Sequence, residues 1–136
     1  MTDSEDKNTE RTENTSVSAN SERPAVDRQS LPTHYFIYLE EMKEGEPVAR
    51  HRLNKGRTLI GRRQADIVYD DPLISRKHAA VEIYNENYIL VRDLASTNGT
   101  FVNDHLIHQA KLLDGDVVRV GKIKLRLTII RGADGG

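Results

Sequence analysis

An unbroken alternation of apolar and polar residues near the C-terminus constrains the fold more than any other feature of this chain. Ile123, Leu125, Leu127 and Ile129 alternate with lysine, arginine and threonine. A period of two residues is that of a β-strand with one buried face and one solvent-exposed face. The pattern therefore predicts a strand that packs on a core through one face only.

Similar alternation recurs from residue 35 onward, separated by residues that favour turns. It predicts about nine short strands, over residues 35–42, 48–53, 57–60, 66–69, 78–84, 88–93, 100–102, 117–120 and 123–129. The separators are rich in glycine, asparagine and aspartate, which supply positive φ or bond to their own backbone. Because no amphipathic helix of 12 residues competes, we expect an all-β fold, an antiparallel β-sandwich or barrel.

Apolar residues are distributed unevenly between the two parts of the chain. Residues 1–33 have few large apolar side chains beyond Val17, Val26 and Leu31, and they are dominated by Ser, Thr, Asn, Glu and Asp. Such a segment cannot bury enough surface to offset the entropy of ordering it. We therefore expect a disordered Ser/Thr/Glu-rich tail over 1–33, a folded domain over 34–131 and a flexible C-terminus over 132–136.

Composition excludes several classes of protein. The net charge is −1 and the pI is about 6.5, well below the value of roughly 9 that marks dedicated nucleic-acid binders. The chain has no cysteine, which excludes disulfides and thiolate metal sites. It also lacks an apolar signal core and any run of about 18 apolar residues. We expect a soluble, cytoplasmic protein that binds neither nucleic acid nor membrane.

No set of residues predicts catalysis or metal binding. His105 and His108 have an HxxH spacing, but in a predicted loop and strand they would not share one face as metal ligands do. The acidic pairs Asp70-Asp71 and Asp114-Gly115-Asp116 lack the spaced oxygens of a calcium loop and indicate turns. Because no nucleophile motif or phosphate-binding P-loop is present, we expect a protein that is not an enzyme and has no cofactor.

Four short pieces at the ends of predicted strands carry the remaining chemistry. They are Gly61-Arg62, Ser75-Arg76-Lys77-His78, Ser96-Thr97-Asn98-Gly99-Thr100, and Asn103. In a sandwich the loops gather at the two ends, so pieces that are distant in sequence can form one patch.

Such a patch would present hydrogen-bond donors and cations without a carboxylate. It would combine two guanidinium groups, one ammonium group, two hydroxyls and one amide, from Arg62, Arg76, Lys77, Ser75, Thr97 and Asn98. A phosphate monoester carries about −1.5 to −2 charges and three acceptor oxygens, which this set can satisfy. The amide of Asn98 can donate and accept, so it could hold the backbone of an extended peptide.

The order GR, SRKH and STNGT, followed by a strand with an asparagine, resembles the signature of the forkhead-associated (FHA) family over about 60 to 70 residues. The resemblance implies a β-sandwich of about eleven strands whose loops bind a phosphothreonine in an extended segment. It implies phosphothreonine-containing partner proteins and a Ser/Thr protein kinase that creates the mark.

The resemblance also implies a role for each matching residue. Arg62 and Ser75 would grip the phosphate, Thr97 would add a second hydroxyl, and Asn98 would hold the ligand backbone. Arg76 and Lys77 would flank the ligand and contact it. Gly61, His78 and Gly99 would support the loops without contacting the ligand. Leu73 would select the residue three after the phosphothreonine, with an apolar or uncharged preference, and Asn103 would add a backbone contact.

Other interpretations stay open at this point. Ser75, Thr97 and Asn98 could be ordinary turn residues, and the domain could instead be a phosphate-independent scaffold that binds through its sheet faces.

The tail offers a regulatory alternative. Thr9, Thr12 and Thr15 are candidate phosphorylation sites, and residues 13–17 resemble the phosphorylated segment of actinobacterial FHA regulators of 2-oxoglutarate metabolism. About 20 residues between Thr15 and the first strand give a reach of roughly 25 Å. A phosphorylated tail could therefore occupy the protein's own phosphopeptide site and block it.

Overall fold

The computed structural model describes residues 35–132, which form eleven β-strands. The strands are β1 (Tyr35–Lys43), β2 (Glu46–Arg52), β3 (Arg57–Gly61), β4 (Ile67–Val68), β5 (Ala79–Asn85), β6 (Tyr88–Asp93), β7 (Thr100–Val102), β8 (His105–Ile107), β9 (Gln109–Leu112), β10 (Val117–Val120) and β11 (Ile123–Arg131). Within these residues there is no helix, and so none that could cross a membrane.

The strands form two sheets that pack face to face. One sheet has the order β9-β6-β5-β3-β4 and the other has the order β2-β1-β11-β10-β7-β8. All neighbours are antiparallel except β3 and β4, which run parallel. The all-β sandwich expected from the sequence is therefore confirmed, and its eleven strands match the number that the resemblance implied.

The core lies between the sheets and is built from every second residue of the long strands. On β11, Leu125 and Leu127 are fully buried while their neighbours Lys124 and Arg126 point away from the core. Leu127 lies opposite Leu39 of β1 in the same sheet. Each of these leucines contributes about 1.5 to 3 kcal/mol of hydrophobic stabilisation relative to the exposed side chain, so the alternation sets which face of β11 is inside.

Two of the observed strands, β8 and β9, were not predicted from the alternation of apolar and polar residues. Both are short edge strands with a single neighbour, β7 for β8 and β6 for β9. Most of their side chains are exposed, Leu106 being 66% accessible. A strand of three or four residues at a sheet edge buries too little to leave an alternating pattern in the sequence.

One end of the sandwich, which we call the loop end, is formed by residues 62–63, 70–78, 94–99 and 121–122. Backbone hydrogen bonds join these segments, from Arg62 to the carbonyl of Ser75 (3.0 Å) and from Leu94 to that of His78 (2.9 Å). The first residue of β1, Tyr35, pairs with Arg131 at the end of β11, whereas Met42 pairs with Lys124 beside residues 121–122. Tyr35 therefore lies at the opposite end of the sandwich from these loops.

Candidate functional site

Arg62 leaves the end of β3 with its side chain held along the neighbouring loop. Its Nε donates to the carbonyl of Ile74 at 3.0 Å, and its backbone nitrogen donates to the carbonyl of Ser75 at 3.0 Å. Within residues 35–132 its Nη atoms make no hydrogen bond. The guanidinium is therefore positioned by main-chain atoms and keeps its two outer nitrogens for a ligand.

Gly61 is required by a close approach of two backbone segments. A Cβ at this position would lie 1.9 Å from the carbonyl oxygen of Arg76 and 3.2 Å from the Cα of Lys77. Any side chain would push the loop away from the end of β3. The glycine thus lets the segment that carries Ser75 and Arg76 lie against the strand that carries Arg62.

His78 is completely buried and joins two loops. The backbone nitrogen of Ser75 donates to its Nδ1 at 3.0 Å, and its Nε2 lies 2.8 Å from the carbonyl oxygen of Gly99. Because Nδ1 accepts a hydrogen bond and Nε2 faces an acceptor, the ring hydrogen lies on Nε2. The side chain thereby ties residue 75 to residue 99.

Further side-chain bonds draw the same two loops together. The backbone nitrogen of Thr97 donates to Oγ of Ser75 at 3.0 Å, and Nδ2 of Asn98 donates to the carbonyl of Leu73 at 3.0 Å. As Oγ accepts the Thr97 amide, the hydroxyl hydrogen of Ser75 stays available to donate outward. Thr97, Asn98 and Leu73 are all exposed at the surface.

The turn that carries Thr97 and Asn98 is organised by Asp93, which the sequence analysis did not single out. Its carboxylate accepts hydrogen bonds from Ser96 and from the hydroxyl of Thr100 at 2.7 Å. Burial raises the pKa of Asp93, but these hydrogen bonds outweigh burial and leave the pKa below its ordinary value. Gly99 completes the turn at φ +91°, a region that favours glycine. An aspartate three residues before a serine was the available sequence signal.

Asp71 organises the other loop and was interpreted from the sequence only as part of a turn. Its carboxylate accepts hydrogen bonds from the backbone nitrogens of Leu73 at 2.9 Å and Lys122 at 3.3 Å. The bond from Leu73 is the main reason that the pKa of Asp71 is lowered. The turn is thus present, and it also fastens the loop that carries Leu73 and Ser75 to the turn between β10 and β11.

The structure separates Asn103 from the other candidate residues. Its Nδ2 donates to Asp116 and its Oδ1 accepts from the backbone nitrogen of Val117, both at 3.0 Å. Asn103 follows the last residue of β7, whereas Gly99 precedes the first. A ligand contact by Asn103 therefore stays a prediction, and its observed contacts hold the turn between β7 and β8.

Arg62, Arg76 and Lys77 form no ion pair with a carboxylate within residues 35–132. Arg76 and Lys77 are exposed on either side of the buried contact with Gly61, and the Asp71 carboxylate is occupied by backbone nitrogens. In the same part of the chain no three His, Asp or Glu side chains lie close enough to hold a metal ion. The surface is suited to an anion. Thr9, Thr12 and Thr15 lie outside the described residues.

Comparison with known proteins agrees with this geometry. The family model for the FHA domain matches residues 58–121. The glycogen accumulation regulator GarA of Mycobacterium tuberculosis is 38% identical over 78 residues, which are 57% of this chain and 48% of GarA. The oxoglutarate dehydrogenase inhibitor of Corynebacterium efficiens is 40% identical over 78 residues, which are 57% of this chain and 54% of the inhibitor. The chain thus spans about half the length of these relatives.

This chain also matches a solved FHA domain structure over nearly the whole length of that domain. The solved structure comes from a study of phosphothreonine-dependent FHA domain interactions and matches with a TM-score of 0.61 and 32% identity, over 68% of this chain and 95% of the other. The segment of this chain that the family model matches, residues 58–121, contains Arg62, Ser75, Thr97 and Asn98. The fold, the loop contacts and these likenesses lead to one conclusion: this chain belongs to the FHA domain family.

Proposed function

We propose that this protein recognises phosphothreonine in partner proteins through its loop end, without catalysing a reaction. One observation carries the proposal: Arg62, Ser75 and Thr97, from three separate loops, are linked by hydrogen bonds at a surface lined with cations. A Ser/Thr protein kinase would create the phosphothreonine, and this domain would bind the phosphorylated partner. The related FHA domain studied for phosphothreonine-dependent interactions supports this assignment.

The phosphate would be held by fixed donors. The Nη atoms of Arg62 and the hydroxyl of Ser75 would donate to its oxygens, with Arg76 and Lys77 as flanking cations. Charge-assisted hydrogen bonds contribute about 1.5–3 kcal/mol each. Two or three of them are therefore enough for a phosphorylated peptide to bind much more tightly than an unphosphorylated one. Because main-chain atoms already position Arg62, little side-chain entropy would be lost on binding.

The rest of the peptide would lie across Asn98 and Leu73. In the proposed complex the amide of Asn98 bonds to the peptide backbone and Thr97 adds a hydroxyl contact. Leu73 has 41% of its surface exposed and would contact the residue three after the phosphothreonine. Gly61, His78 and Gly99 would act behind this surface by keeping the loops in register.

The test compares two neighbouring arginines. We expect Arg62→Ala to weaken binding of a phosphothreonine peptide at least about 100-fold, since two charge-assisted bonds are lost, as measured by isothermal titration calorimetry. Arg63→Ala is the matched control, because Arg63 is exposed beside it and should leave the affinity within about threefold. Thermal unfolding of both variants checks that the fold is intact. Equal affinities of Arg62→Ala and the parent chain would overturn the proposal.

A second candidate function is that of a metabolic regulator that inhibits itself. The names of the two curated relatives, a glycogen accumulation regulator and an oxoglutarate dehydrogenase inhibitor, favour it. In this hypothesis a tail phosphorylated at Thr9, Thr12 or Thr15 occupies the loop end. The chain phosphorylated at Thr15 should then bind an external phosphopeptide more weakly than the unphosphorylated chain, and unchanged binding would refute the hypothesis.

A phosphate-independent scaffold is distinguished by a pull-down. Partner capture that survives phosphatase treatment of the partner would favour a scaffold over phosphothreonine recognition, whereas loss of capture supports the main proposal.

A further inference from the structure

The outer face of the six-stranded sheet, which we call the arginine face, concentrates positive charge away from the loop end. It is formed by the side chains of β1, β2, β10 and β11 that point away from the core. Its charged members are five cations and one carboxylate, a net charge of +4, from Arg50, Arg52, Arg119, Lys124, Arg126 and Glu40. The whole chain carries −1, so composition hides this surface.

Three of the four guanidinium groups of this face lie over aromatic rings. Arg50 lies 4.5 Å from the ring centroid of Tyr38, and Arg52 lies 4.7 Å from that of Phe36. At the other side of the face, Arg119 lies 4.1 Å from the ring centroid of Phe101. Such contacts are favourable at exposed sites and leave N–H groups of each guanidinium available to an anion. The rings therefore keep these cations close to the sheet without fixing them in one orientation.

The face already binds one carboxylate. Glu40 accepts from Nη2 of Arg126 at 2.9 Å and, through its other oxygen, from Nη2 of Arg50 at 2.9 Å. Its side chain is only 5% exposed. Arg119 already lies 3.9 Å from the exposed carboxylate of Asp104. Arg52 and Lys124 therefore remain as further positions for carboxylates, in addition to the remaining N–H groups of the paired arginines.

The opposite sheet has less surplus charge on its outer face. Glu82 lies there between Arg92 at 3.0 Å and Arg57 at 3.5 Å, and Lys111 is a further cation on the same face. Three cations and one carboxylate give +2. This face therefore serves as a control of similar architecture and lower charge.

The chain itself contains an acidic segment of suitable charge. Residues 3–13 carry five carboxylates and two basic side chains, a net charge of −3. The chain enters the sandwich at Tyr35, directly before Phe36 of the arginine face and at the opposite end from the loops. The 21 residues 14–34 have a reach of roughly 25 Å, and the face is about 20 Å long from Lys124 to Ile130.

We propose that the acidic segment 3–13 docks on the arginine face of its own chain when it is not phosphorylated. Exposed ion pairs are individually weak, but a short tether raises the effective concentration of the segment to the millimolar range. Docking then depends on several pairs acting together. Because the Debye length falls from about 30 Å at 0.01 M salt to about 3 Å at 1 M salt, salt releases the segment.

The test uses a single spin label, because the full chain has no cysteine of its own. With Ser4→Cys labelled, we expect paramagnetic broadening at low salt of the backbone amides of residues 36–42, 50–52 and 124–130. The broadening should disappear when the salt concentration is raised.

Two double variants of equal charge locate the docking site. Arg52→Gln with Lys124→Gln should reduce the broadening by at least about half, because it removes two of the five cations of the arginine face. Arg57→Gln with Lys111→Gln, which removes two cations from the opposite sheet, should leave it unchanged.

Three results would overturn the proposal. Broadening centred on residues 62–63 and 73–77 would assign the segment to the loop end instead. Broadening in a mixture of spin-labelled and isotope-labelled chains would assign it to a second copy. Equal broadening of all surfaces, unaffected by salt, would show that no specific docking occurs.

Discussion

The loop end and the arginine face both present arginines at the surface, but they hold them in different ways. At the loop end, Arg62 is bound to a backbone carbonyl, and the loops around it are joined by main-chain bonds and a buried histidine. On the arginine face, guanidiniums rest on aromatic rings and share Glu40. Main-chain contacts fix atomic positions, whereas stacking leaves the guanidinium free to slide. The first arrangement suits recognition of one phosphate and the second suits a variable acidic chain.

This difference predicts that the loop end is sensitive to backbone changes. Gly61→Ala should have the largest effect, because its Cβ would fall 1.9 Å from the carbonyl oxygen of Arg76. We expect a loss of about 3 kcal/mol or more in the free energy of unfolding, in the range of severe overpacking, together with loss of phosphopeptide binding. Urea denaturation and calorimetry measure the two effects.

Gly56→Ala is the matched control for Gly61→Ala. The nearest atom to a Cβ at Gly56 lies at 4.0 Å, an ordinary contact. This variant should keep full phosphopeptide affinity. If Gly61→Ala and Gly56→Ala had the same stability and phosphopeptide affinity, the close contact between Gly61 and Arg76 would not be what holds the loop end in place.

His78→Leu sharpens the comparison by removing the link between loops while keeping a buried side chain of similar size. The backbone nitrogen of Ser75 and the carbonyl of Gly99 lose their partner, and each unsatisfied buried group costs about 1–3 kcal/mol. We expect unfolding to become easier by roughly 2–4 kcal/mol and the Ser75 amide to exchange hydrogen faster. The control His105→Leu, at an exposed position, should change neither the free energy of unfolding nor the exchange rate of the Ser75 amide. If the Ser75 amide exchanged at an unchanged rate in His78→Leu, His78 would not join the two loops.

The ion pairs of Glu40 on the arginine face should make the stability of the fold depend on pH. Hydrogen bonds from Arg126 and Thr128 lower its pKa to about 2 from an ordinary 4.5. A carboxyl group with a lowered pKa stabilises the fold above its unfolded pKa, and this stability is lost as the pH falls from 4.5 towards about 2. The loss is on the order of 3 kcal/mol.

Glu40→Gln should remove that part of the acid dependence and lower the stability at neutral pH. It should leave phosphopeptide affinity unchanged, because Glu40 lies outside the loop end. Urea denaturation at several pH values measures the free energy of unfolding of Glu40→Gln and of the parent chain. The same acid dependence in Glu40→Gln and the parent would mean that other carboxylates dominate it.

Local pattern was enough to predict the main body of the fold. Alternation placed β11 and most other strands, because a buried face imposes a period of two on any strand long enough to show it. The short edge strands β8 and β9 carried no such pattern. Likewise, three of the four loop motifs could be predicted to form one patch because sandwich loops gather at strand ends, whereas the fourth, Asn103, lies apart. Asp71 and Asp93 were missed as loop organisers, since acidic turn residues are common and their partners become visible only after folding.

The sequence by itself determined that this chain forms an all-β domain and that the side chains proposed to bind phosphate occur at its strand ends, since both depend on residue type and spacing. Tertiary structure alone decided that Gly61 lies against Arg76, that Asn103 is separated from Asn98, and that Arg50, Arg52 and Arg126 share one face. Strand register brings together residues that are far apart in the sequence, such as Glu40 and Arg126, which are separated by 86 positions. No local pattern encodes that pairing, because it depends on which strands become neighbours in the sheet and in which register they pair.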